Sequence, residues 1–90
     1  MKILIPIQLQ KIIGKSEIES NADSIDSLLV ELCLEYTNLK SRLFSNNGDG
    51  DLNKFINIYV NDEDIRFLNF LKTELKPTDV VSIVPAVAGG

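Results

Sequence analysis

The groups in this chain that can do chemistry fall in four places. The stretch Pro85-Ala86-Val87-Ala88-Gly89-Gly90 carries no charged side chain, so its reactive group is the α-carboxylate of Gly90. Two glycines make a thin backbone, free in φ, that threads a channel where any Cβ would clash. The stretch is either a frayed end or an arm that offers a carboxylate to another protein. It leaves directly from an apolar strand pattern, which favours a short arm of fixed origin.

The other three candidates have plainer readings. Asp49-Gly50-Asp51-Leu52-Asn53 looks like a calcium loop, but an EF-hand needs Gly at its sixth position and Glu at its twelfth. Counted from Asp49 these are Lys54 and Val60, and counted from Asn47 they are Leu52 and Ile58. The motif fails, and a surface turn remains. Asn61-Asp62-Glu63-Asp64 gathers three carboxylates. With no apolar pocket beside them to shift a pKa, they read as a solvated turn between strands. Cys33 sits between Glu31 and Glu35 in a helical pattern. Neighbouring carboxylates disfavour the thiolate, so Cys33 reads as a small core or boundary residue.

Composition removes several classes of function. The chain has 90 residues, a net charge of −4, one cysteine and no histidine. Catalytic triads that need an imidazole are excluded, and a zinc site would have to rely on carboxylates. An acidic domain gains nothing from phosphates, so no nucleic-acid partner is expected. Met1-Lys2 leads straight into an alternating pattern with no leader, and no apolar run approaches membrane-spanning length. No membrane partner is expected, and the expected compartment is a reducing cytoplasm.

The elements that position these groups follow from periodicity. Lys2 to Leu9 alternates, with Ile3, Ile5, Ile7 and Leu9 on one face, and is predicted as a strand. Gly14 marks a turn, and Lys15 to Ser20 is a weaker second strand, making a hairpin. Asp23 or Ser24 caps a helix whose apolar stripe is Ile25, Leu28, Leu29, Leu32 and Tyr36. A short helix is predicted over Leu39 to Phe44, and a polar loop over 45–51. Phe55 to Val60 is a strand, 61–64 a turn, Ile65 to Phe67 a short strand, and Leu68 to Leu75 a helical turn and loop. Pro77-Thr78-Asp79 is a turn, and Val80 to Pro85 is the last strand, placed inside the sheet because Val81 and Ile83 point inward. The expected fold is α+β: a mixed sheet of four to five strands packed on one main helix. The expected division is a domain over 1–85 and a flexible tail over 86–90.

This order, with the Gly89-Gly90 ending, resembles the ubiquitin-like sulfur carriers of the ThiS/MoaD family, which have a β-grasp fold. The stretch Phe55-Ile56-Asn57-Ile58-Tyr59-Val60-Asn61-Asp62-Glu63-Asp64-Ile65-Arg66-Phe67 and the ending Pro85 to Gly90 are most similar to CysO-type carriers of cysteine biosynthesis. One departure stands out. Family members often carry Asp-Gly-Asp before the last strand, where this chain has Pro77-Thr78-Asp79.

The resemblance implies a protein cosubstrate and no catalytic residue of its own. An E1-like adenylyltransferase uses ATP to convert the Gly90 carboxylate to an acyl adenylate. Sulfide or a persulfide displaces AMP and leaves a thiocarboxylate. The sulfur acceptor is implied to be a PLP-dependent cysteine synthase, and a metallopeptidase then releases the cysteine left on the tail. No bound cofactor or metal is implied; ATP belongs to the activating partner. Gly89, Ala88 and Val87 form the arm. Strand alternation nominates a docking face beside it, with Leu4, Pro6, Tyr59 and Val84 opposite the helix, Pro85 at the root of the tail and Arg66 for a rim ion pair. Three other readings keep the same fold: the small subunit of molybdopterin synthase, a protein modifier whose Gly90 joins lysines, and an interaction module with an idle tail.

Overall fold

The computed structural model describes residues 1–44 and 56–85. The polar loop expected at 45–51 and the tail expected at 86–90, including Val87, Ala88, Gly89 and Gly90, lie outside the described residues. In chain order the elements are β1 (Lys2–Leu4), α1 (Ile7–Ile13), β2 (Glu17–Glu19), α2 (Ile25–Glu35), α3 (Lys40–Leu43), β3 (Ile56–Val60), β4 (Glu63–Asp64) and β5 (Val80–Pro85). Single 3-10 turns occupy Thr37–Leu39, Ile65–Phe67 and Phe70–Lys72.

The five strands form one sheet in the order β2-β1-β5-β3-β4. β1 runs antiparallel to β2 and parallel to β5, and β5 runs antiparallel to β3. The last strand therefore lies at the centre, as its inward Val81 and Ile83 require. Both are buried. With α2 on the inner face, this is the β-grasp arrangement, a mixed sheet of the expected α+β class.

The helix is where its stripe placed it. Ile25, Leu28, Leu29 and Leu32 are buried against Ile3, Ile58, Val81 and Ile83. Each such side chain contributes about 1.5–3 kcal/mol by leaving water. Of the two candidate caps it is Ser24 that acts, its Oγ accepting from the Ser27 N–H at 3.1 Å. Asp23 instead gives its backbone carbonyl to the Leu75 N–H.

Two parts of the sequence reading need correction. The strand predicted from Lys2 to Leu9 ends at Leu4, and residues 7–13 form α1. The cause is Pro6, which has no N–H for a ladder. It stays extended at φ −71 and ψ 157, and its carbonyl accepts from the N–H groups of Leu9 and Gln10. Leu9 and Ile13, four apart, then bury one side of the helix, while Ile7 is 76% exposed instead of facing α2. Gly14, at φ 81, closes α1, so the connection is a helix instead of a tight turn, while β2 pairs antiparallel with β1 as expected. The second correction concerns residues 61–67. The two-residue turn is Asn61-Asp62, at φ 53 and 72, and the returning strand is Glu63–Asp64. Positive φ at both central residues marks a type I′ hairpin, and Asn and Asp tolerate that region. Ile65–Phe67 is a 3-10 turn rather than a strand, because the Asp64 carboxylate accepts the Arg66 N–H at 2.9 Å and curls the chain.

Candidate functional site

Strand alternation and register assemble the outer face of the sheet. Leu4 pairs with Glu17 on one side and Ser82 on the other. Ser82 pairs in turn with Tyr59, and Tyr59 with Asp64. One row therefore crosses all five strands, with acidic ends and Leu4 and Tyr59 flanking a serine. The next row toward the end of β5 holds Val84 opposite Asn57, and Pro85 lies opposite Ile56. Leu4 is 39% and Val84 42% exposed, while Tyr59 and Pro85 are half-buried. The central strand thus carries its outward apolar residue, Val84, one position before Pro85, the last residue described.

The start of β5 is held as firmly as its middle. Asn61 exchanges hydrogen bonds with Val80 twice over. Its backbone N–H donates to the Val80 carbonyl at 2.8 Å, and its Oδ1 accepts the Val80 N–H at 2.9 Å. Its Nδ2 donates to Asp79 Oδ1 at 2.8 Å. The other carboxylate oxygen of Asp79 accepts the Lys76 N–H at 2.8 Å, and its backbone N–H donates to the Lys76 carbonyl at 3.0 Å. The Lys76 N–H, followed by the Asn61 amide, holds the Asp79 carboxyl below its ordinary value. Pro77 and Thr78 contribute none of these bonds, so the departure from Asp-Gly-Asp leaves intact the one aspartate that performs this closure.

Of the predicted docking residues, Leu4, Tyr59 and Val84 share the outer face. Pro6 does not: it has left the sheet to start α1. Arg66 lies at the β3 side of the face, where its guanidinium donates to Asn57 Oδ1 and its Nε stands 3.7 Å from Asp64 Oδ1. The three carboxylates of the 61–64 turn do not converge, since Asp64 is committed to Arg66. Among the described residues no group of three metal-ligating side chains occurs. Cys33 is half-buried against the core, and burial pushes its thiol up, with Lys40 opposing weakly. It is not a poised nucleophile. Sequence reasoning missed the Asn61–Asp79 closure and the exposure of Phe67. The first has a signal in an Asn at a hairpin turn and an Asp just before a strand. The second has none, because a strand over 65–67 would alternate the same residues.

The ThiS family matches this chain over residues 3–90. The chain belongs to the ThiS family. Among its relatives, the sulfur carrier protein CysO of Mycobacterium tuberculosis is 39% identical over 77 residues, covering 86% of this chain and 83% of the relative. A putative sulfur carrier protein of Archaeoglobus fulgidus is 36% identical over 89 residues, covering 96% and 98%. A chain of the Amycolatopsis orientalis BexX/CysO complex superposes with a TM-score of 0.85 at 34% identity, covering 99% of this chain and 98% of that one. Among the described residues no helix is long and apolar enough to cross a membrane.

Proposed function

We propose that this chain is a sulfur carrier for cysteine biosynthesis, with the α-carboxylate of Gly90 as its working group. A carboxylate resists nucleophiles because its charge is delocalised and oxide leaves poorly. An E1-like partner joins the carboxylate to the α-phosphate of ATP with loss of pyrophosphate. Hydrosulfide then attacks the acyl carbon and AMP leaves; a persulfide attacking in its place gives an acyl disulfide, whose S–S bond a second thiol of the partner cleaves, leaving the thiocarboxylate and a disulfide on the partner. The resulting thiocarboxylate is softer and more nucleophilic, and it passes sulfur to an activated serine held by a PLP-dependent cysteine synthase. A metallopeptidase releases the cysteine left on the tail. The chain is a protein cosubstrate in this scheme, working in the cytoplasm, and the chemistry sits in its partners.

The observation that carries this reading is the family match through residue 90, joined to 39% identity with a CysO sulfur carrier. The geometry is consistent with it. A rigid central strand leads to Pro85, and Leu4, Tyr59 and Val84 offer apolar contact beside the exit. Val87, Ala88 and Gly89 are the arm in this scheme.

Intact mass tests it. After incubation with the E1-like enzyme of the same organism, ATP and sulfide, the chain should gain the mass difference between sulfur and oxygen. An unchanged mass with an enzyme shown to be active refutes the carrier reading. A further adduct of cysteine mass with the synthase and an activated serine supports the cysteine route. Sulfur transfer to a molybdopterin precursor instead, or lysine-linked conjugates in extract, replaces that route with the synthase-subunit or modifier reading. Deleting Gly90 should abolish the mass gain and leave the melting temperature unchanged, since β5 ends at Pro85.

A further inference from the structure

The segment from Ile65 to Thr73 sits outside the sulfur chemistry and exposes large apolar side chains. Phe67 is 82% exposed and Phe70 40% exposed, with Leu68 beside them. Single exposed apolar residues are ordinary. Two aromatic rings and a leucine within four positions form a patch. Phe70 also holds φ 52, a left-handed backbone that a bulky residue rarely adopts. Neither feature helps the core, because neither ring is buried in it. A left-handed Phe70 lies three residues from the exposed Phe67, and backbone strain of this kind clusters at binding surfaces.

The segment is nevertheless held in shape. Ile65 is buried at one end, and the Asp64 carboxylate takes the Arg66 N–H. At the other end Thr73 is buried, its Oγ1 accepts the Asn69 N–H at 3.1 Å, and its carbonyl accepts the Ile25 N–H at 3.0 Å. A pinned loop presents its rings without the ordering cost that a mobile one meets on binding.

Charge indicates what covers it. The whole chain carries −4, and residues 65–73 contain two cations, Arg66, which is paired with Asp64, and Lys72. Lys72 makes no ion pair among the described residues. Position indicates where the partner stands. Arg66 donates to Asn57, and Asn57 is the cross-strand neighbour of Val84, one residue before Pro85. Arg66, next to Phe67 in the chain, therefore ties this segment to the outer face at Val84.

We propose that the Phe67 loop is an anchor for the tail-activating enzyme. Phe67 enters an apolar pocket on that enzyme, and a carboxylate at the pocket rim meets Lys72. Aromatic and Arg side chains are the residues that most often dominate such contacts. This assignment rests on the carrier reading, because activation of the tail is the step that every use of Gly90 shares.

The test is ATP–pyrophosphate exchange by the E1-like enzyme of the same organism, with carrier concentration varied, alongside direct binding by calorimetry. For Phe67→Ala the KM for carrier should rise about tenfold or more with kcat unchanged, and Kd should rise in parallel. Lys72→Glu should raise KM at low salt, and the gap from the parent should shrink as added salt screens both the parent's attraction and the variant's repulsion. The melting temperature of both variants should match the parent, which separates a lost contact from a lost fold. Exchange by the parent with Phe67→Ala indistinguishable from it overturns the anchor and leaves the carrier reading standing. Binding of the parent, weakened by Phe67→Ala but without exchange, overturns the carrier reading and the step assigned here while retaining the patch as a contact. A defect seen with the sulfur-accepting enzyme and not with the activating enzyme also overturns the assignment.

Discussion

Replacing Asn61 with alanine should destabilise the domain more than its exposed position suggests. The substitution removes the Oδ1 acceptor of the Val80 N–H and the Nδ2 donor to Asp79. Each such bond contributes about 1 kcal/mol net, with the charged one discounted toward that value by its exposure. Alanine must also hold φ 53, which adds about 1 kcal/mol of strain. The backbone bond from the Asn61 N–H to Val80 survives. The sum is about 2–3 kcal/mol, or a fall of about 10–20 °C in melting temperature for a domain this size. Asn61→Gly loses the same two bonds but carries no Cβ in the left-handed region, so it should fall by less. Urea unfolding of the three proteins measures this directly. Asn61→Ala within about 0.5 kcal/mol of the parent, a surface-substitution effect, would refute the closure argument. Asn61→Gly less stable than Asn61→Ala would refute the strain component.

Two further outcomes follow from the same geometry. The Asp79 carboxyl is held below its ordinary value, so the stability it contributes is present above the usual Asp range near pH 4 and is lost as pH falls through the lowered native value. Asp79→Asn should therefore cost about 1 kcal/mol at neutral pH, the difference shrinking in acid; urea midpoints measured down the pH scale check this, and a constant gap would refute it. Val84→Asp should leave the melting temperature within a few degrees, because the side chain is already 42% exposed on the outer face. It should nevertheless raise the carrier KM in the exchange assay about tenfold, by placing a charge where apolar contact is proposed. An unchanged KM would remove Val84 from the docking face.

Where one period dominated, the fold was legible from the residues. The stripe of α2 and the alternation of β3 and β5 each bury one face, and only a central β5 satisfies inward Val81 and Ile83. The errors arose where two periods fit the same letters. Ile3, Ile5, Ile7 and Leu9 alternate like a strand, but Leu9 and Ile13 also fit a helix, and the missing N–H of Pro6 decides between them. Residues 65–67 have no preference strong enough to outweigh the Asp64 carboxylate capping Arg66. The outer face of the sheet was legible as far as alternation held, giving Leu4, Tyr59 and Val84, and the reading failed at Pro6, where alternation had already ended. The Asn61–Asp79 closure depends on two turns meeting 18 residues apart, and no local pattern encodes that meeting.

The central place of β5 has a consequence for synthesis. Of the described strands, a ribosome releases β1 first and β5 last. Until then β1 lacks its parallel neighbour and β3 its antiparallel one, and the sheet is two separate hairpin-like pieces with no middle. Pairings this distant in sequence form late, after the entropy of closing long loops has been met. A nascent chain cut short of Val80 therefore cannot settle into a half-made domain that competes with the finished one for partners. The outer-face rows, which need β1, β5 and β3 side by side, come into existence only with β5.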